Sequence, residues 1–167
     1  TNQFNLTTKR YSEEQIKEMC SDSNYLIKTF SVSDKFGDNG LTGLYIINKN
    51  DSTTWEIDSF LMSCRIMGRK IENEMLNDLL LECKNNNVKK LTGKHFPTTK
   101  NHVTKDLYLN FGFSKINDDT YDTTCYKLIV VGGGVAGMSA LYDLVYTRKH
   151  YRINEVLLLE ASEVLGG

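Results

Sequence analysis

WEIDSFLMSC (Trp55 to Cys64), RIMGRK (Arg65 to Lys70) and IENEMLNDLL (Ile71 to Leu80) follow one another without a break, and this stretch decides the fold. The first part is rich in aromatic and apolar residues whose alternation is typical of a strand. Gly68 ends the extended run, and the third part repeats apolar residues at helical spacing. The stretch therefore predicts a strand that ends in a glycine turn and leads directly into a helix.

The flanking sequence predicts further strands and helices. Ser12 stands three residues before Gln15, the spacing of a capping box, and predicts a short helix. The remaining predicted elements are a hairpin of Tyr25–Val32 and Leu41–Asn48 around the turn Asp34–Gly40, a strand over Val88–Phe96, a helix over Asn101–Asn110 and a strand from Phe113. This order predicts a mixed α/β (α+β) fold in which helices flank a largely antiparallel sheet.

Composition restricts the function classes. The chain has 167 residues, a formal net charge of -1, 40% hydrophobic and 25% charged residues. This is the composition of an ordinary globular protein, with room for one complete domain and a piece of a second. Disorder and a collagen-like chain are excluded. Since no basic block is present, we do not expect nucleic acid as a partner.

The terminal and apolar segments bear on location. The first ten residues, TNQFNLTTKR, are polar, lack a hydrophobic signal core and do not begin with Met, so they read as part of a longer protein from the cytoplasm. The longest apolar stretch, Leu128 to Val145, is interrupted by glycines and by Asp143. A lipid-spanning helix needs about 20 apolar residues, so we expect no membrane crossing.

The glycine turn after the predicted strand is the first candidate site. A strand that feeds a helix through such a turn directs unpaired backbone N–H groups, at the positive end of the helix dipole, toward a common point. Such a point attracts anions, and Arg65, Arg69 and Lys70 stand beside it. A pyrophosphate or the phosphate of phosphopantetheine would fit. The alternative is that these three side chains form a solvated basic surface.

A second sequence pattern, around Tyr108, supports the interpretation of the glycine turn as a binding site. Asn101 precedes Tyr108 by seven residues, and Gly112-Phe113 follows four residues later, across a predicted helix and into a strand. With these residues the chain resembles the GNAT acyltransferases, whose R-x-x-G-x-G/A loop binds the pyrophosphate of acyl-CoA and whose helix carries a tyrosine before a Gly-Phe ending. The alternative for Tyr108 is an aromatic residue of the core.

Four segments carry a narrower resemblance to the C-terminal acyltransferase-like domain of FkbH-like proteins. They are TNQFNLTT (1–8), DKFGDNGLTG (34–43), IDSFLMSCRIMG (57–68) and PTTKN (97–101). Members of that family pair this domain with a haloacid-dehalogenase-type (HAD) phosphatase domain and deliver a glyceryl-type unit to an acyl carrier protein. The resemblance implies a GNAT-like domain over residues 1–126, an acyl carrier protein and a phosphatase domain as partners, and cytoplasmic acyltransferase activity.

The resemblance also implies roles for residues. Arg65, Gly68, Arg69, Lys70 and Asn101 would bind an acyl-CoA or carrier-linked phosphopantetheine thioester, and Tyr108 would protonate the departing thiolate. A phenol suits that step because its ordinary pKa, near 10, is close to that of a thiol. Lys70 departs from the pattern, which has Gly or Ala there; its side chain either crowds the phosphate or supplies a compensating charge. A different function for the same domain is that of a non-catalytic docking module for a carrier protein.

The cysteines and histidines predict no further chemistry. The four cysteines form no C-x-x-C pair, so thiols without disulfides are expected, and Cys64 is expected to be a buried, inert thiol. His95, His102 and His150 share no metal spacing and are expected at the surface or in caps. We expect no metal site.

A second candidate site begins at Lys127. The apolar run Leu128–Val131 leads into Gly132, Gly134 and Gly137 at the spacing G-x-G-x-x-G, then a predicted helix, a strand over Glu155–Leu159 and the acid Glu160. This order predicts a dinucleotide-binding βαβ unit, with the glycines at a pyrophosphate and the carboxylate at a ribose.

The segment that follows resembles the start of the FAD-dependent amine oxidase, desaturase and protoporphyrinogen oxidase group. The resemblance implies a truncated Rossmann segment over residues 127–167, with FAD as its cofactor. It tells more about ancestry than about activity, although the start of an FAD oxidoreductase is a further functional alternative.

The junction of the two segments is unusual. Thr123–Leu128 fits both the last strand of the first fold and the first strand of the second, with no linker between them. One strand cannot belong to two sheets. Either a natural fusion leaves one of the two folds incomplete, or a gene-model or assembly join has placed two coding pieces together. We favour the second interpretation.

Overall fold

The computed structural model describes residues 3–35, 37–124, 126–131 and 153–159. The chain divides into two compact units, Thr1–Thr123 and Thr124–Gly167, and each is treated by itself. None of the helices in the described ranges is both long and apolar enough to cross a bilayer.

The larger unit is built on a six-stranded mixed sheet in the order β1-β2-β3-β4-β6-β5. The strands are β1 Tyr25–Asp34, β2 Gly37–Lys49, β3 Thr54–Met62, β4 Lys90–Lys94, β5 Ser114–Lys115 and β6 Thr120–Thr124. Strands β1, β2 and β3 form an antiparallel meander, β4 runs parallel to β3, and β5 and β6 are antiparallel. This mixed, mostly antiparallel sheet confirms the predicted fold class.

The hairpin is tighter than predicted. The turn expected over Asp34–Gly40 is mostly strand, because β1 and β2 keep pairing up to Asp34 opposite Gly37. Turn-forming residues in this segment therefore lie within the ladder, where register shifts between Phe30 and Ser33 accommodate them.

Within the described ranges, the helices that flank the sheet are α1 Glu13–Ser21, α2 Ile71–Asn85 and α3 Leu107–Asn110. The capping box of Ser12 and Gln15 is formed at the start of α1, as predicted. The single helix expected over Asn101–Asn110 is divided into a 3₁₀ turn, His102–Thr104, and the short α3. The Thr104 hydroxyl donates to the backbone oxygen of Asn101 at 2.8 Å, a local bond that competes with continued helix.

Helix α2 buries its apolar face on the sheet. Met75, Leu76, Leu79, Leu80 and Cys83 are the buried residues of this helix. A Cβ on Gly43 of β2 would lie 2.7 Å from the sulfur of Met75, so glycine permits this close approach. Each large apolar side chain buried here contributes about 1.5–3 kcal/mol, which makes α2 a main source of stability.

Two irregularities in β3 shape the region where the predicted site residues lie. Ile46 pairs with Ser59 and Ile47 with Ile57, so Asp58 is the extra residue of a β-bulge. Beyond the bulge β3 and β4 separate, because their ladder ends at the pair Ile57 and Gly93. The separation leaves a wedge between the second half of β3 and the chain after β4.

The smaller unit contains a parallel pair, β7 Tyr126–Val131 and β8 Ile153–Leu159. The two strands expected at Leu128–Val131 and Glu155–Leu159 are therefore present. The junction segment is shared between two strands, since β6 ends at Thr124 in the first sheet and β7 begins at Tyr126 in the second. Gly132, Gly134, Gly137 and Glu160 lie outside the described residues.

Candidate functional site

The loop between β3 and α2 has the sharp turn that the sequence predicted. The Ser63 side chain caps a 3₁₀ turn over Cys64–Ile66, and the Ile66 side chain is fully buried below it. Gly68 then adopts a φ of 80°, in the left-handed region that favours glycine. A Cβ at Gly68 would meet no atom within 4 Å, so backbone conformation rather than space selects glycine here.

Lys70 lies at the first boundary of α2 and has a φ of 60°. Left-handed backbone suits Gly and strains a lysine. The Lys70 side chain is exposed, so it does not fill the loop.

The start of α2 lacks a side-chain cap. Lys70, its N-cap residue, makes no side-chain capping bond, although the Asn73 N–H donates to the Lys70 oxygen at 3.0 Å. The first N–H groups of a helix have no partners within the helix and lie at the positive end of its dipole. Anion binding at this loop and helix start remains a prediction.

The basic side chains around this geometry are exposed and partly held by neighbours. Arg69 forms an ion pair with Asp34 of β1, with 2.7 Å between Nη1 and the carboxylate. The Arg65 Nε donates to the Ser63 hydroxyl at 3.3 Å. Both guanidinium groups therefore lie beside the loop, with that of Arg69 paired to a carboxylate.

Acidic groups oppose an anion at the same place. Glu72 and Glu74 lie in the first turn of α2, and the Oε2 of Glu72 is buried without a hydrogen-bond partner among the described residues. A carboxylate there interacts favourably with the helix dipole but repels a second negative charge. Any phosphate in the loop would have to offset this repulsion.

Tyr108 lies in α3 and is buried to 1% exposure. Its ring packs against the rings of Phe113 and Tyr121, at centroid distances of 5.0 and 5.3 Å. Its hydroxyl has no hydrogen-bond partner in the described part of the chain. Burial, with smaller effects from the Glu56 charge and Tyr121, raises the pKa of Tyr108 well above its ordinary value. The phenol therefore retains its proton in this state.

No described hydrogen bond or ring contact joins Tyr108 to the loop Arg65–Lys70. Tyr108 packs on Gly93 of β4 and on the rings of Phe113 and of Tyr121 in β6. The catalytic role of Tyr108 remains a prediction, and its burial is the arrangement expected of a core aromatic residue.

Asn101 is fully buried and uses its whole side chain within the protein. Its amide donates to the backbone oxygens of Asn5 and Phe96 at 2.9 and 3.0 Å, and its oxygen accepts from the Thr98 N–H at 2.7 Å. Asn101 thus fastens the segment PTTKN to the start of the chain. Cofactor binding by Asn101 remains a prediction, and these bonds give it a structural role.

Two side chains lie elsewhere than the sequence predicted. Cys64 was expected to be buried but is exposed, because the chain turns outward directly after β3. His95 was expected at the surface or in a cap but is 4% exposed, and its Nε2 lies 3.0 Å from the Thr104 hydroxyl. Burial lowers the pKa of His95, against smaller opposing effects from the Asn101 backbone and Asp106. In the range that the structure describes, no cluster of His, Cys, Asp and Glu has the geometry of a metal site.

Sequence reasoning missed a cluster around the bulge. The Asp58 carboxylate is paired with Lys9 and accepts from the Tyr11 hydroxyl at 2.6 Å and the Ser59 hydroxyl at 3.0 Å. Burial alone would raise the pKa of Asp58, but the bonds from Lys9 and Tyr11 outweigh it and hold the pKa below its ordinary value. The sequence signal that could have revealed this cluster is the acidic Asp58 among apolar residues of a predicted strand.

A cavity of about 510 Å³ adjoins this cluster. Ile16 of α1, Leu44 and Ile46 of β2 and Leu61 of β3 form its apolar wall, and Lys9 lies at its polar side. The cavity lies where α1 meets the sheet.

Comparison with known proteins shows the class of fold. No protein-family model matches the sequence, and no curated protein matches it. Solved structures match at probability 1.00. An IAA acetyltransferase from Bacillus cereus superposes with a TM-score of 0.52 and 16% identity, over 66% of this chain and 82% of that one.

Two further structures give the same result. A putative acetyltransferase of the GNAT family from Desulfovibrio desulfuricans has a TM-score of 0.54 and 13% identity, over 66% of this chain and 76% of its own. An aminoglycoside 6'-N-acetyltransferase complexed with coenzyme A has values of 0.53 and 12%, over 68% and 81%. The chain therefore has the GNAT fold.

Proposed function

We propose that the larger unit is an acyltransferase that uses a phosphopantetheine thioester, either acyl-CoA or an acylated carrier protein. The observation that carries the proposal is the loop after β3, with its left-handed Gly68, its uncapped helix start and the guanidinium groups of Arg65 and Arg69. The coenzyme A complex of the aminoglycoside acetyltransferase of the same fold supports this ligand class.

The reaction exchanges one thioester for another. The incoming thiol attacks the thioester carbonyl, the carbon–sulfur bond to the first carrier breaks, and the departing thiolate takes a proton. Tyr108 would supply that proton and regain one from the incoming thiol. Burial raises the pKa of Tyr108, so for this step its pKa has to return toward the ordinary value, which is close to that of a thiol. For this step the ring must reach the sulfur, so the packing around Tyr108 has to open in the working state.

Binding of coenzyme A tests the ligand class. We expect the full chain to bind coenzyme A by titration calorimetry and Arg65→Ala to weaken binding at least tenfold. The matched control is Lys89→Ala, which removes an exposed charge outside the loop. Equal weakening by both variants would show a general charge effect and would reject the loop as the site.

The acceptor proposal is narrower and rests on the resemblance to FkbH-like proteins. The four resembling segments contact one another: Asn101 bonds to Asn5, the Asn5 backbone pairs with Leu61, and the Ser63 N–H donates to the Thr42 oxygen. We infer that an acyl carrier protein carrying a glyceryl-type unit is the natural substrate, and that a phosphatase domain of the HAD type works with it. Mass spectrometry of the carrier after incubation tests this: transfer to the carrier thiol is expected, and transfer to coenzyme A alone would reject the carrier.

A non-catalytic docking module is the second candidate, and the sealed position of Tyr108 favours it. The two candidates differ in turnover. Carrier binding without any transfer, unchanged by Tyr108→Phe, would establish the docking module.

For the smaller unit we propose the start of an FAD-binding segment. The parallel pairing of β7 and β8 supports it, since a βαβ unit places its two strands in parallel. Quenching of FAD fluorescence on titration with the protein tests the proposal, with Gly134→Val as the variant that should abolish quenching. Unchanged FAD fluorescence with the parent protein would reject it.

A further inference from the structure

The wedge between β3 and β4 exposes backbone groups that a ladder would otherwise satisfy. Beyond the pair Ile57 and Gly93 the two strands no longer bond to each other. The oxygen of Phe60, the N–H of Met62 and the N–H of Phe96 then face the gap. Buried backbone groups need partners, so something strand-like has to fill this space.

The segment Phe4–Leu6, here called the wedge segment, fills it. The Leu6 N–H donates to the Phe60 oxygen at 3.4 Å, and the Met62 N–H donates to the Phe4 oxygen at 3.0 Å. On the other side the Phe96 N–H donates to the Leu6 oxygen at 2.8 Å. The wedge segment is therefore bonded to both sides of the opening, antiparallel to β3.

Side chains hold the wedge segment in place. Leu6 is fully buried, and Phe4 is 5% exposed with its ring 6.1 Å from that of Phe60. The Asn101 amide bonds to the Asn5 oxygen. The next residue, Thr7, donates from its hydroxyl to the oxygen of the bulged Asp58 at 2.9 Å.

The wedge leads to the proposed phosphate site. Met62, which bonds to Phe4, ends β3, and the turn Cys64–Ile66 follows at once. Pantetheine is an extended chain with amide groups along it, and extended chains with amides bind the exposed edge of a strand through the backbone. A pantetheine arm with its phosphate in the loop would therefore run along the second half of β3.

We propose that the wedge segment and the pantetheine arm of the substrate compete for the same backbone groups of β3, so that the segment is a built-in inhibitory strand that must withdraw before the thioester enters. This inference rests on the proposed function and adds its regulation. The wedge segment would pivot at Thr8 as it withdraws. The φ of Thr8 is 59°, which is strained for a β-branched residue, and its N–H is bonded to the Asn5 side chain. The ion pair of Lys9 with Asp58 retains the chain beyond that point.

A reversible disulfide tests the competition. Asn5 and Leu61 form an antiparallel bridge flanked by the bonds of Phe4 and Leu6, which makes them a non-hydrogen-bonded pair. Such pairs have Cα atoms about 4.5 Å apart, within the span of a disulfide. The double variant Asn5→Cys/Leu61→Cys, with Cys20 and Cys64 changed to Ser, therefore locks the wedge segment when oxidised and releases the lock when reduced.

Coenzyme A is the probe, titrated into the oxidised and reduced forms of this full-length variant. We expect the oxidised form to bind coenzyme A at least tenfold more weakly than the reduced form, and Thr7→Val to bind it more tightly than the parent. Circular dichroism verifies that both forms are folded. In the reduced form, coenzyme A should also speed hydrogen exchange of the Leu6 amide, a response that a purely structural strand would not give.

The outcomes separate the two proposals. Equal affinity of the oxidised and reduced forms for coenzyme A, with unchanged exchange at Leu6, would overturn the competition while coenzyme A binding, and with it the proposed function, stands. Absence of coenzyme A binding in the parent, the reduced form and Thr7→Val would reject the proposed function and, with it, a competition for that site.

Discussion

The ring of Tyr108 lies directly on Gly93 of β4. A Cβ at position 93 would lie 2.6 Å from the hydroxyl oxygen of Tyr108 and would also overlap the ring carbons. A glycine is therefore needed where the Tyr108 side chain contacts β4, and the tyrosine and the glycine act as one packing unit.

Gly93→Ala should destabilise the protein by about 1–3 kcal/mol, the usual cost of overpacking a core. Urea unfolding of Gly93→Ala, Tyr108→Leu and the double variant measures the effect. Because leucine removes the overlapping atoms, the double variant should be less destabilised than the sum of the single variants. Strict additivity would show that the alanine acts on some other neighbour.

The Tyr108 hydroxyl should contribute nothing favourable to stability. An unpaired buried hydroxyl costs about 1–3 kcal/mol of desolvation, so Tyr108→Phe should leave the free energy of unfolding unchanged or raise it by about 1 kcal/mol. Tyr45→Phe is the matched control, because the Tyr45 hydroxyl donates to Asp78 at 2.6 Å. Its loss should destabilise by about 1–2 kcal/mol. A destabilised Tyr108→Phe would reveal a partner for the phenol.

Local patterns predicted much of this architecture because they act over a few residues. The helical spacing of apolar residues after Gly68 predicted α2, and the capping box of Ser12 and Gln15 predicted the start of α1. The same patterns could not reveal the bulge at Asp58 or the wedge segment, since both depend on pairing between residues far apart in sequence. The alternation of Phe4 and Leu6 in a polar segment was a real but short signal.

In the candidate site too, local features were predictable and long-range contacts were not. Gly68 was predictable, because a strand followed by glycine and a helix specifies a turn locally. The structural role of Asn101, whose side chain bonds to the start of the chain, was not predictable, because its partner Asn5 is 96 residues away in sequence. The exposure of Cys64 also depends on the direction that the chain takes after β3.

Lys70→Gly should stabilise the protein by about 1 kcal/mol, because a left-handed backbone is strained for lysine and relaxed for glycine. Thermal unfolding measures the change. Leu81→Gly, at an exposed position inside the same helix, should cost about 1 kcal/mol and serves as the control. Should both glycines destabilise equally, the left-handed conformation at Lys70 would be contradicted.

His95 should make stability depend on pH in mildly acidic solution. Burial holds its pKa in the folded protein below the ordinary value of 6.5, so the unfolded chain binds a proton first as the pH falls. The stability present above pH 6.5 is therefore lost as the pH falls from 6.5 toward the lower folded pKa. Urea unfolding at intervals from pH 7.5 to 5 should show this loss in the parent.

The variant His95→Gln should flatten that pH dependence, while His102→Gln, at an exposed position, should leave it as in the parent. Glutamine retains hydrogen bonding to Thr104, so the comparison isolates the charge. A parent slope that survives in His95→Gln would assign the titration to another group.

Glu72→Gln should strengthen anion binding at the start of α2. The unpartnered Oε2 of Glu72 lies in the first turn, where it competes with a phosphate for the same positive end of the helix. A gain of several-fold in coenzyme A affinity at low ionic strength is expected, and it should shrink as salt screens the charges. Glu18→Gln in α1 removes an equal charge away from the loop and should change affinity little. If the two variants gain equally, the effect is one of net charge, and Glu72 does not oppose the phosphate locally.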